Sequence, residues 1–271
     1  MNTVEEFYEK YKIQEFYTLQ AKNSWKPIYP FKKEIHKKLS FGMVPGHKNY
    51  DLFYERYISP CEIFKEQGII KDHIKILDIG SGQGFFKLFF DANFNETIDW
   101  YGIEVWEGRT EFCKHIGYKM FEVDLEKGIL PFEDESFDIV IASHVLEHLP
   151  NPKDIIKEMN RVLKTGGQSI IATPTKLPLI AELDSFFHRI SKRNIGETQQ
   201  AFTHKSLQKL ILSTLKISKE AIVDKRGFRI ISARKKLPLE NSKTFCKISK
   251  LLGKRFMYLV PEINIIFRKN I

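Results

Sequence analysis

The chain has 271 residues, of which 42% are hydrophobic and 28% are charged. This composition can bury a core, so it excludes a disordered or collagen-like chain. Every apolar run is shorter than the ~18 residues of a membrane span, and the N-terminus lacks a secretory leader, so we expect neither feature. The three cysteines, Cys61, Cys113 and Cys246, lack metal-type spacing and favour reduced thiols in a cytoplasmic protein.

The net charge of +9 is unevenly distributed along the chain. Residues 1–70 carry +2, residues 71–175 carry −7, and residues 176–271 carry +14. A basic C-terminal third indicates an anionic partner such as a phosphorylated substrate, a nucleic acid or a membrane surface. Ordinary solvated lysines on helices account for the same composition.

In chain order, the first predicted elements are helical stretches at 4–20 and 50–66, which we interpret as an N-terminal helical cap over residues 1–70. Short apolar runs then alternate with helical patterns. The predicted strands are 75–79, 100–105, 118–123, 137–143 and 168–173, with helices at 84–93 and 108–116 between them. This alternation is typical of an α/β protein with a doubly wound, mostly parallel sheet.

The next helix has the clearest boundary signals in the sequence. Asn151 suits the N-cap, Pro152 suits the first helical position, and Gly166 suits a left-handed C-terminal cap. Further on, we predict a helix at 206–215 and a closing antiparallel pair at 227–234 and 263–268. These two strands complete a seven-stranded sheet with an antiparallel last strand, in a domain spanning 71–271.

The most informative residues are ILDIGSGQGFF, at 76–86. A strand ending near Asp78 runs into Gly80, Gly82 and Gly84 and then into a helix, so a ligand can approach the backbone closely at the carboxyl edge of the sheet. A generic strand–helix turn has the same pattern.

Two further acids follow the next two strands. Glu104 lies about twenty residues beyond the glycines, where a carboxylate accepts ribose hydroxyls, and Asp124 could accept a hydrogen bond from an adenine amino group. This third acid, together with GSGQG in place of GxGxxG, points away from a pyrophosphate-binding dinucleotide site.

Over residues 75–173 the chain resembles the S-adenosylmethionine-dependent methyltransferases of the Rossmann-like class. The resemblance rests on ILDIGSGQG and on VDLEKGILPFEDESFDIVIASHVLEHLPNPKDIIKEMNRVLKTGGQSIIATP. It implies S-adenosyl-L-methionine as the cofactor, and the chain looks most like the small-molecule type found in ubiquinone and surface-polysaccharide biosynthesis. The implied cofactor-binding residues are Asp78, Gly80, Gly82 and Gly84 for the methionine part, Glu104 for the ribose, Asp124 and Leu125 for the adenine, and Ser143 and His144 near the sulfonium.

The motif HVLEH, at 144–148, offers three interpretations. His144 or His148 could be the general base for a substrate hydroxyl. His144, Glu147 and His148 could instead bind a divalent metal, although similar ubiquinone O-methyltransferases have ExxEH here, and a His suits magnesium less well than their first Glu. In the third interpretation, Glu147 and His148 only cap the turn before Pro150.

The basic segment favours O-methylation of a small anionic metabolite, such as a nucleotide-linked or phosphorylated sugar in bacterial surface glycan synthesis. The candidate substrate contacts, in an acceptor-site insertion at 176–226, are His188, Arg189, Lys192, Arg193, His204 and Lys205. The alternative is a tRNA or rRNA methyltransferase, for which no RNA-binding module is recognisable. The amphipathic stretch 244–256 could contact a membrane surface peripherally, and His47, Tyr50 and Tyr54 could form part of a lid.

Overall fold

The computed structural model describes residues 50–82, 84–105, 107–175, 200–227, 248, 251–253, 255–256, 260 and 262–269. The predicted helix at 4–20, His47, His188, Arg189, Lys192, Arg193 and most of the stretch 244–256 lie outside these residues. Among the described helices, none has the length and apolar character needed to cross a membrane.

Strands and helices alternate along the described part of the chain, as the sequence predicts. The helices are α1 (Tyr50–Gln67), α2 (Phe85–Asn93), α3 (Glu107–His115), α4 (Pro152–Val162) and α5 (His204–Leu215). The strands are β1 (Ile74–Ile79), β2 (Ile98–Ile103), β3 (Lys119–Phe121), β4 (Phe137–Ser143), β5 (Leu163–Pro174), β6 (Ile222–Gly227) and β7 (Glu262–Arg268).

The seven strands form one sheet in the order β3-β2-β1-β4-β5-β7-β6. Neighbouring strands from β3 to β5 are parallel, whereas β7 runs antiparallel to both β5 and β6. The predicted fold class, a doubly wound sheet with an antiparallel last strand, is confirmed. The strand order reverses between β1 and β4, and ligands bind sheets of this kind outside the carboxyl ends at such a point.

Helices cover both faces of the sheet, so each central strand buries side chains on two sides. One face packs against α1, α2 and α3 and contains a cluster of aromatic rings around the fully buried Phe64, Phe90 and Trp100. The other face packs against α4 and α5, with Met159 and Ile211 among its buried side chains. Because both faces are covered, the exposed part of the sheet available for ligands is its carboxyl edge.

The helix after β4 ends differently from the prediction. It begins at Pro152, but it stops at Val162, where Leu163 is extended and passes directly into β5. The prediction that Gly166 caps this helix is therefore wrong. Gly166 does adopt a positive φ of 81°, but it lies within β5, where its N–H donates to the carbonyl of Lys269 at 2.9 Å.

The C-terminal elements also shift relative to the prediction. Strand β6 covers Ile222–Gly227 and so begins before the predicted start at 227, and the rest of the predicted strand, 228–234, lies outside the described residues. Helix α5 begins at His204, because Thr203 and Ser206 form a reciprocal capping box at its N-terminus. Helix α5 lies within the predicted insertion at 176–226, and β6 begins within it. Residues 176–199 lie outside the described residues, so the acceptor-site insertion stays a prediction.

Candidate active site at the carboxyl edge of the sheet

The turn after β1 brings three glycines into the left-handed region, with φ of 66° at Gly80, 56° at Gly82 and 67° at Gly84. A Cβ on Gly80 would lie 2.6 Å from the Val145 side chain, and one on Gly84 would lie 2.6 Å from the Ile116 side chain. Close packing therefore leaves no room for a side chain at either position. Among the described residues, a Cβ on Gly82 would meet only the Gly80 carbonyl oxygen, at 3.9 Å. Gly82 is therefore the glycine that leaves space where a ligand can approach the backbone.

Asp78 lies at the base of this turn with a side chain that is 1% exposed. The hydroxyl of Tyr118 donates to its carboxylate at 2.9 Å, and no cationic side chain of the described residues contacts it. Burial, and to a smaller degree the negative charge of Glu104, raises the pKa of Asp78 to about 7 despite the Tyr118 hydrogen bond. A ligand cation placed beside Asp78 would favour its charged form.

Glu104 follows β2 and turns its buried carboxylate back toward the glycine turn. Its Oε2 accepts the N–H of Gly82 at 3.1 Å and lies 3.4 Å from Arg109 Nη1, while Oε1 accepts the N–H of Val105 at 2.9 Å. The first two predicted acids are therefore brought to the same turn, as expected from the parallel register of β1 and β2.

Asp124 occupies the third predicted position, in the loop after β3. Its side chain is half exposed and caps the short 3-10 turn Leu125–Lys127 by accepting the N–H of Glu126 at 3.1 Å. This arrangement fixes the loop that carries Leu125 at the same edge of the sheet. Its contact with an adenine stays a prediction.

The residues of the HVLEH motif follow β4, across the switch point from the glycine turn. Ser143 ends the strand, and His144 adopts a positive φ of 57° while its backbone N–H donates to the Ala172 carbonyl at 2.9 Å. Positive φ is uncommon for a residue with a side chain and is found disproportionately at functional positions. His144 is thus held in a strained conformation by the neighbouring strand β5.

Both ring nitrogens of His144 face carboxylates. Nε2 lies 2.6 Å from Glu262 Oε1, and Nδ1 lies 3.3 Å from Glu147 Oε1. Burial and the cationic Arg56 act to lower the pKa of His144, but the two carboxylates outweigh them and raise it above its ordinary value. A ring that donates from both nitrogens has no lone pair available, so the predicted base role requires His144 first to lose a proton.

Glu147 and His148 differ sharply in environment. Glu147 is buried and accepts the hydroxyl of Thr173 at 3.0 Å, whereas His148 is half exposed, with Nε2 4.0 Å from Glu147. Within the described residues there is no group of three or more His, Cys, Asp or Glu side chains arranged to hold a metal ion. The catalytic role predicted for His148 stays a prediction.

Two residues of this region were missed by sequence reasoning. Glu262 is fully buried on β7, and Arg56 of α1 forms a two-pronged ion pair with it, through Nε and, at 3.0 Å, through Nη2. The sequence does contain a partial signal, since Glu262 and Asn264 alternate with isoleucines in a strand that is otherwise apolar. Arg56 gives no such signal.

The fold and one matching domain indicate the class of protein. Residues 77–171 match the family model described as a methyltransferase domain, and the sheet to which they contribute has a Rossmann-like order. S-adenosylmethionine is the cofactor that this class implies. A cationic ligand that carries hydroxyl groups would suit the open Cβ direction at Gly82, the carboxylate of Glu104 and the buried Asp78, which no cation of the described residues contacts.

Individual relatives match parts of the chain. An uncharacterized protein of Methanocaldococcus jannaschii is 33% identical over 142 residues, which cover 51% of this chain and 62% of that protein. Demethylmenaquinone methyltransferase of Staphylococcus aureus (strain MRSA252) is 34% identical over 121 residues, which cover 44% of this chain and 49% of that enzyme. The chain thus spans roughly half to three-fifths of the length of these curated relatives.

One solved structure shows how far the fold extends beyond the matched domain. A putative sarcosine dimethylglycine methyltransferase from Galdieria sulphuraria superposes with a TM-score of 0.55 at 16% identity. The alignment covers 78% of this chain and 83% of that one. The shared feature at this identity is the fold.

Proposed function

We propose that this protein is an S-adenosylmethionine-dependent methyltransferase acting on a small anionic hydroxyl compound. The observation that carries the first part is Asp78, a buried carboxylate without a contacting cation among the described residues, beside the open Gly82. It lies in the segment that matches the methyltransferase domain family.

Each cofactor contact follows from the chemistry of the residue. Asp78 would attract the ammonium of the methionine part, because a buried charge is stabilised by an opposite one. Glu104 has a carboxylate that can accept both ribose hydroxyls, and Gly82 lets the ligand approach the backbone. The bound sulfonium supplies an activated methyl group, so the remaining task of the protein is to align the acceptor with it.

For the acceptor, the named relative offers an indication of size. Demethylmenaquinone methyltransferase, by its name, methylates a small molecule, and the match to it supports a small-molecule acceptor here. A hydroxyl acceptor fits the presence of His144, which can take up a proton once its ring is neutral. Methylation on oxygen is part of our proposal, as is the nucleotide-linked or phosphorylated sugar of bacterial surface glycan synthesis suggested by the basic C-terminal third.

The described residues add a specific reason to expect an anion. A groove of about 620 Å³ runs along α5 and β6 and is lined by cationic side chains, with no carboxylate among its lining residues. We call it the α5 groove; it is lined by His204, Lys205, Gln208, Lys209, Leu212, Ser213, Lys219 and Lys225. Burial and the neighbouring Lys205 and Lys225 lower the pKa of His204, consistent with a positive potential there.

The α5 groove begins close to the candidate site along the chain. The backbone N–H of Gln200 donates to the carbonyl of Glu147 at 3.1 Å, and His204 follows four residues later. Four residues span at most about 14 Å, so His204 lies no farther than this from Gln200, and our proposal has an extended substrate lie between His144 and His204. The predicted contacts His204 and Lys205 are thus both in this groove, although His188 and Arg189 lie outside the described residues.

RNA is the second candidate acceptor, and the same groove supports it. Lysines that follow one side of a helix provide contacts to successive phosphates, which is the basis of non-specific RNA binding. A bound RNA would show an affinity that falls steeply with salt, whereas a single phosphorylated metabolite would depend on salt weakly.

Calorimetric titration with S-adenosylhomocysteine tests the cofactor site. We expect the wild-type protein to bind it, the Asp78→Asn variant to bind at least about tenfold more weakly, and the control Asp99→Asn, an exposed acid on β2, to bind as wild type. Absence of binding to the wild-type protein would refute the proposed activity.

A methyl-transfer screen identifies the acceptor class. The protein is incubated with S-adenosylmethionine and, separately, with nucleotide sugars, phosphosugars and total RNA, and S-adenosylhomocysteine formation is measured. We expect turnover with a phosphorylated small molecule and a raised KM for it in the double variant Lys209→Gln/Lys225→Gln. Lys114→Gln on α3 is the control. Turnover with RNA alone would replace our acceptor with the second candidate.

A further inference from the structure

An ionic chain connects α1, β7 and the turn after β4. It runs from Arg56 through Glu262 and His144 to Glu147, with one carboxylate on each side of the imidazole. Glu262 Oε1 is shared, because it accepts from both Arg56 Nε and His144 Nε2. Thr173 ends the chain by donating its hydroxyl to Glu147.

Burial makes this chain costly to rearrange. The Glu262 side chain is fully buried, Glu147 is 3% exposed, Arg56 is 14% exposed and His144 is 24% exposed. A buried carboxylate without a partner is strongly unfavourable, so Glu262 fixes both Arg56 and His144 in place. His144 is the most exposed of the four side chains.

The contacts are also geometrically specific. The 2.6 Å separation of His144 Nε2 and Glu262 Oε1 is slightly shorter than the roughly 2.7–2.9 Å typical of charge-assisted N–H···O hydrogen bonds, whereas the 3.3 Å separation of Nδ1 and Glu147 Oε1 is longer than this range and weaker. The backbone of His144 is held in its left-handed conformation by β5. Glu262 therefore determines which way the ring faces.

We propose that Glu262 is a positioning residue for His144, holding the imidazole in one orientation with both nitrogens protonated, and that Arg56 holds Glu262. This inference builds on the proposed function, because it concerns the residue placed beside the transferred methyl group. The imidazolium balances the charge of the carboxylates beside it, and Nδ1, with the longer contact, is the nitrogen more easily released for proton exchange. Through Arg56, the position of α1 influences the charge of the site.

Glu262 and Arg56 are expected to affect the pKa of His144 in opposite directions. Glu262 and Glu147 favour its protonated form, whereas Arg56 disfavours it. Removal of the Glu262 charge should lower the pKa of His144, while removal of the Arg56 charge should raise it. A residue that served only to hold the fold together would lower the melting temperature without moving the pKa of His144.

The test is a titration of the histidine ring nitrogens in the full-length protein by ¹⁵N NMR, with the His144 signals assigned by their loss in His144→Asn. We expect the pKa of His144 to lie above 6.5 in the wild-type protein and to fall by about one unit or more in Glu262→Gln. In Arg56→Gln it should rise, and in Arg56→Lys it should stay near the wild-type value. Glu158→Gln, which removes the carboxylate of another Arg pair on α4, is the matched control and should leave it unchanged.

Two outcomes would overturn the inference: an unchanged pKa of His144 in both Glu262→Gln and Arg56→Gln, or shifts of the same sign in the two variants. If Glu262→Gln does not fold, as judged by circular dichroism, Arg56→Gln and Arg56→Lys decide the question by themselves. The titration needs no turnover, so it is independent of S-adenosylhomocysteine binding to the wild-type protein. Loss of that binding refutes the proposed function, whereas the histidine titration refutes only the positioning role.

Discussion

The two sides of the sheet's switch point each bury a pair of carboxylates, but they treat the charges differently. On the β1–β2 side, Asp78 receives, from the part of the chain that the structure describes, only a neutral hydrogen bond from Tyr118. Glu104 accepts backbone N–H groups and lies 3.4 Å from Arg109. On the β4–β7 side, His144 lies between Glu147 and Glu262, and Arg56 adds a second cation. The first side retains negative charge, and the second is internally neutralised.

The difference indicates where each substrate belongs. Retained negative charge in a low-dielectric environment is costly until a cation arrives, so the first side is suited to a cationic cofactor. A self-neutralised chain gains nothing from a cation, and it presents His144 to the acceptor. In our proposal the first side is therefore the cofactor side, whose negative charge a bound cation would balance, and the second is the acceptor side, whose charges already balance within the protein.

The largest expected effect concerns stability on the neutralised side. Arg56→Met should lower the free energy of unfolding by about 3–5 kcal/mol, because it leaves the buried Glu262 without its main partner. On the cofactor side, Arg109→Met beside Glu104 should cost less than about 1 kcal/mol, because Arg109 is partly exposed to solvent. Urea unfolding of both variants measures the two losses of stability. Equal losses would contradict the proposed difference in how the two sides balance their buried charges.

A second prediction compares Gly84, which is closely packed against side chains, with Gly82, whose Cβ direction is open. Gly84→Ala should lower the free energy of unfolding by about 1–3 kcal/mol more than Gly82→Ala, because its Cβ overlaps with Ile116 at 2.6 Å and Tyr118 at 2.9 Å. Both alanines share the strain of a positive φ, so the difference isolates packing. Thermal unfolding checks the order, and a greater loss in Gly82→Ala would show that the turn is packed differently.

Most of the cofactor side could be predicted from sequence because its determinants are local. Asp78 lies near the end of β1, Gly82 lies in the turn after it, and Glu104 directly follows β2. The parallel register brings the ends of β1 and β2 together. The acceptor side has no such locality. Arg56 and Glu262 are 206 positions apart and meet only because β7 inserts antiparallel between β5 and β6.

Smaller misses have the same kind of cause. The sequence placed Gly166 as a helix cap because glycine favours left-handed conformations, and Gly166 does adopt one, but the helix had already ended at Val162. The buried Leu163 leads directly into β5, so packing on the sheet overrode the local signal. Tertiary context also explains β6, where the strand begins five residues before the predicted start.

A third prediction tests the retained charge of the cofactor side through Asp78→Asn. Its weaker binding of S-adenosylhomocysteine, by at least about tenfold, should be accompanied by higher stability of the ligand-free protein at pH 8. Folding raises the pKa of Asp78 from 3.8 to about 7. The stability that this carboxyl group contributes is therefore full below pH 3.8 and is lost as the pH rises through 7, so at pH 8 the charged Asp78 destabilises the protein relative to a neutral Asn. Urea unfolding at pH 8 checks it, and a destabilised variant would mean that the charge of Asp78 is already balanced.

The smallest expected effect is the pH dependence of stability on the acceptor side. Because its two carboxylates raise the pKa of His144, the stability it contributes is full below 6.5 and is lost as the pH rises through the higher folded-state value. The stability contributed by Asp78 changes with pH in the same direction. The part due to His144 is therefore obtained by subtracting the free energy of unfolding of His144→Asn from that of the wild-type protein. Asparagine is chosen because it tolerates a positive φ. The gap between wild type and variant should shrink from pH 6 to pH 9, by at most about 1.4 kcal/mol per pH unit.

The direction of that change discriminates between two states of the acceptor side. A shrinking gap means that the ring enters the folded protein as a cation between Glu147 and Glu262, so the side is neutral before any substrate arrives. A gap that widens with pH means that the ring is neutral and Arg56 alone balances the carboxylates. The acceptor side would then retain negative charge, as the cofactor side does, and an anionic acceptor would have to be held away from His144, along the α5 groove.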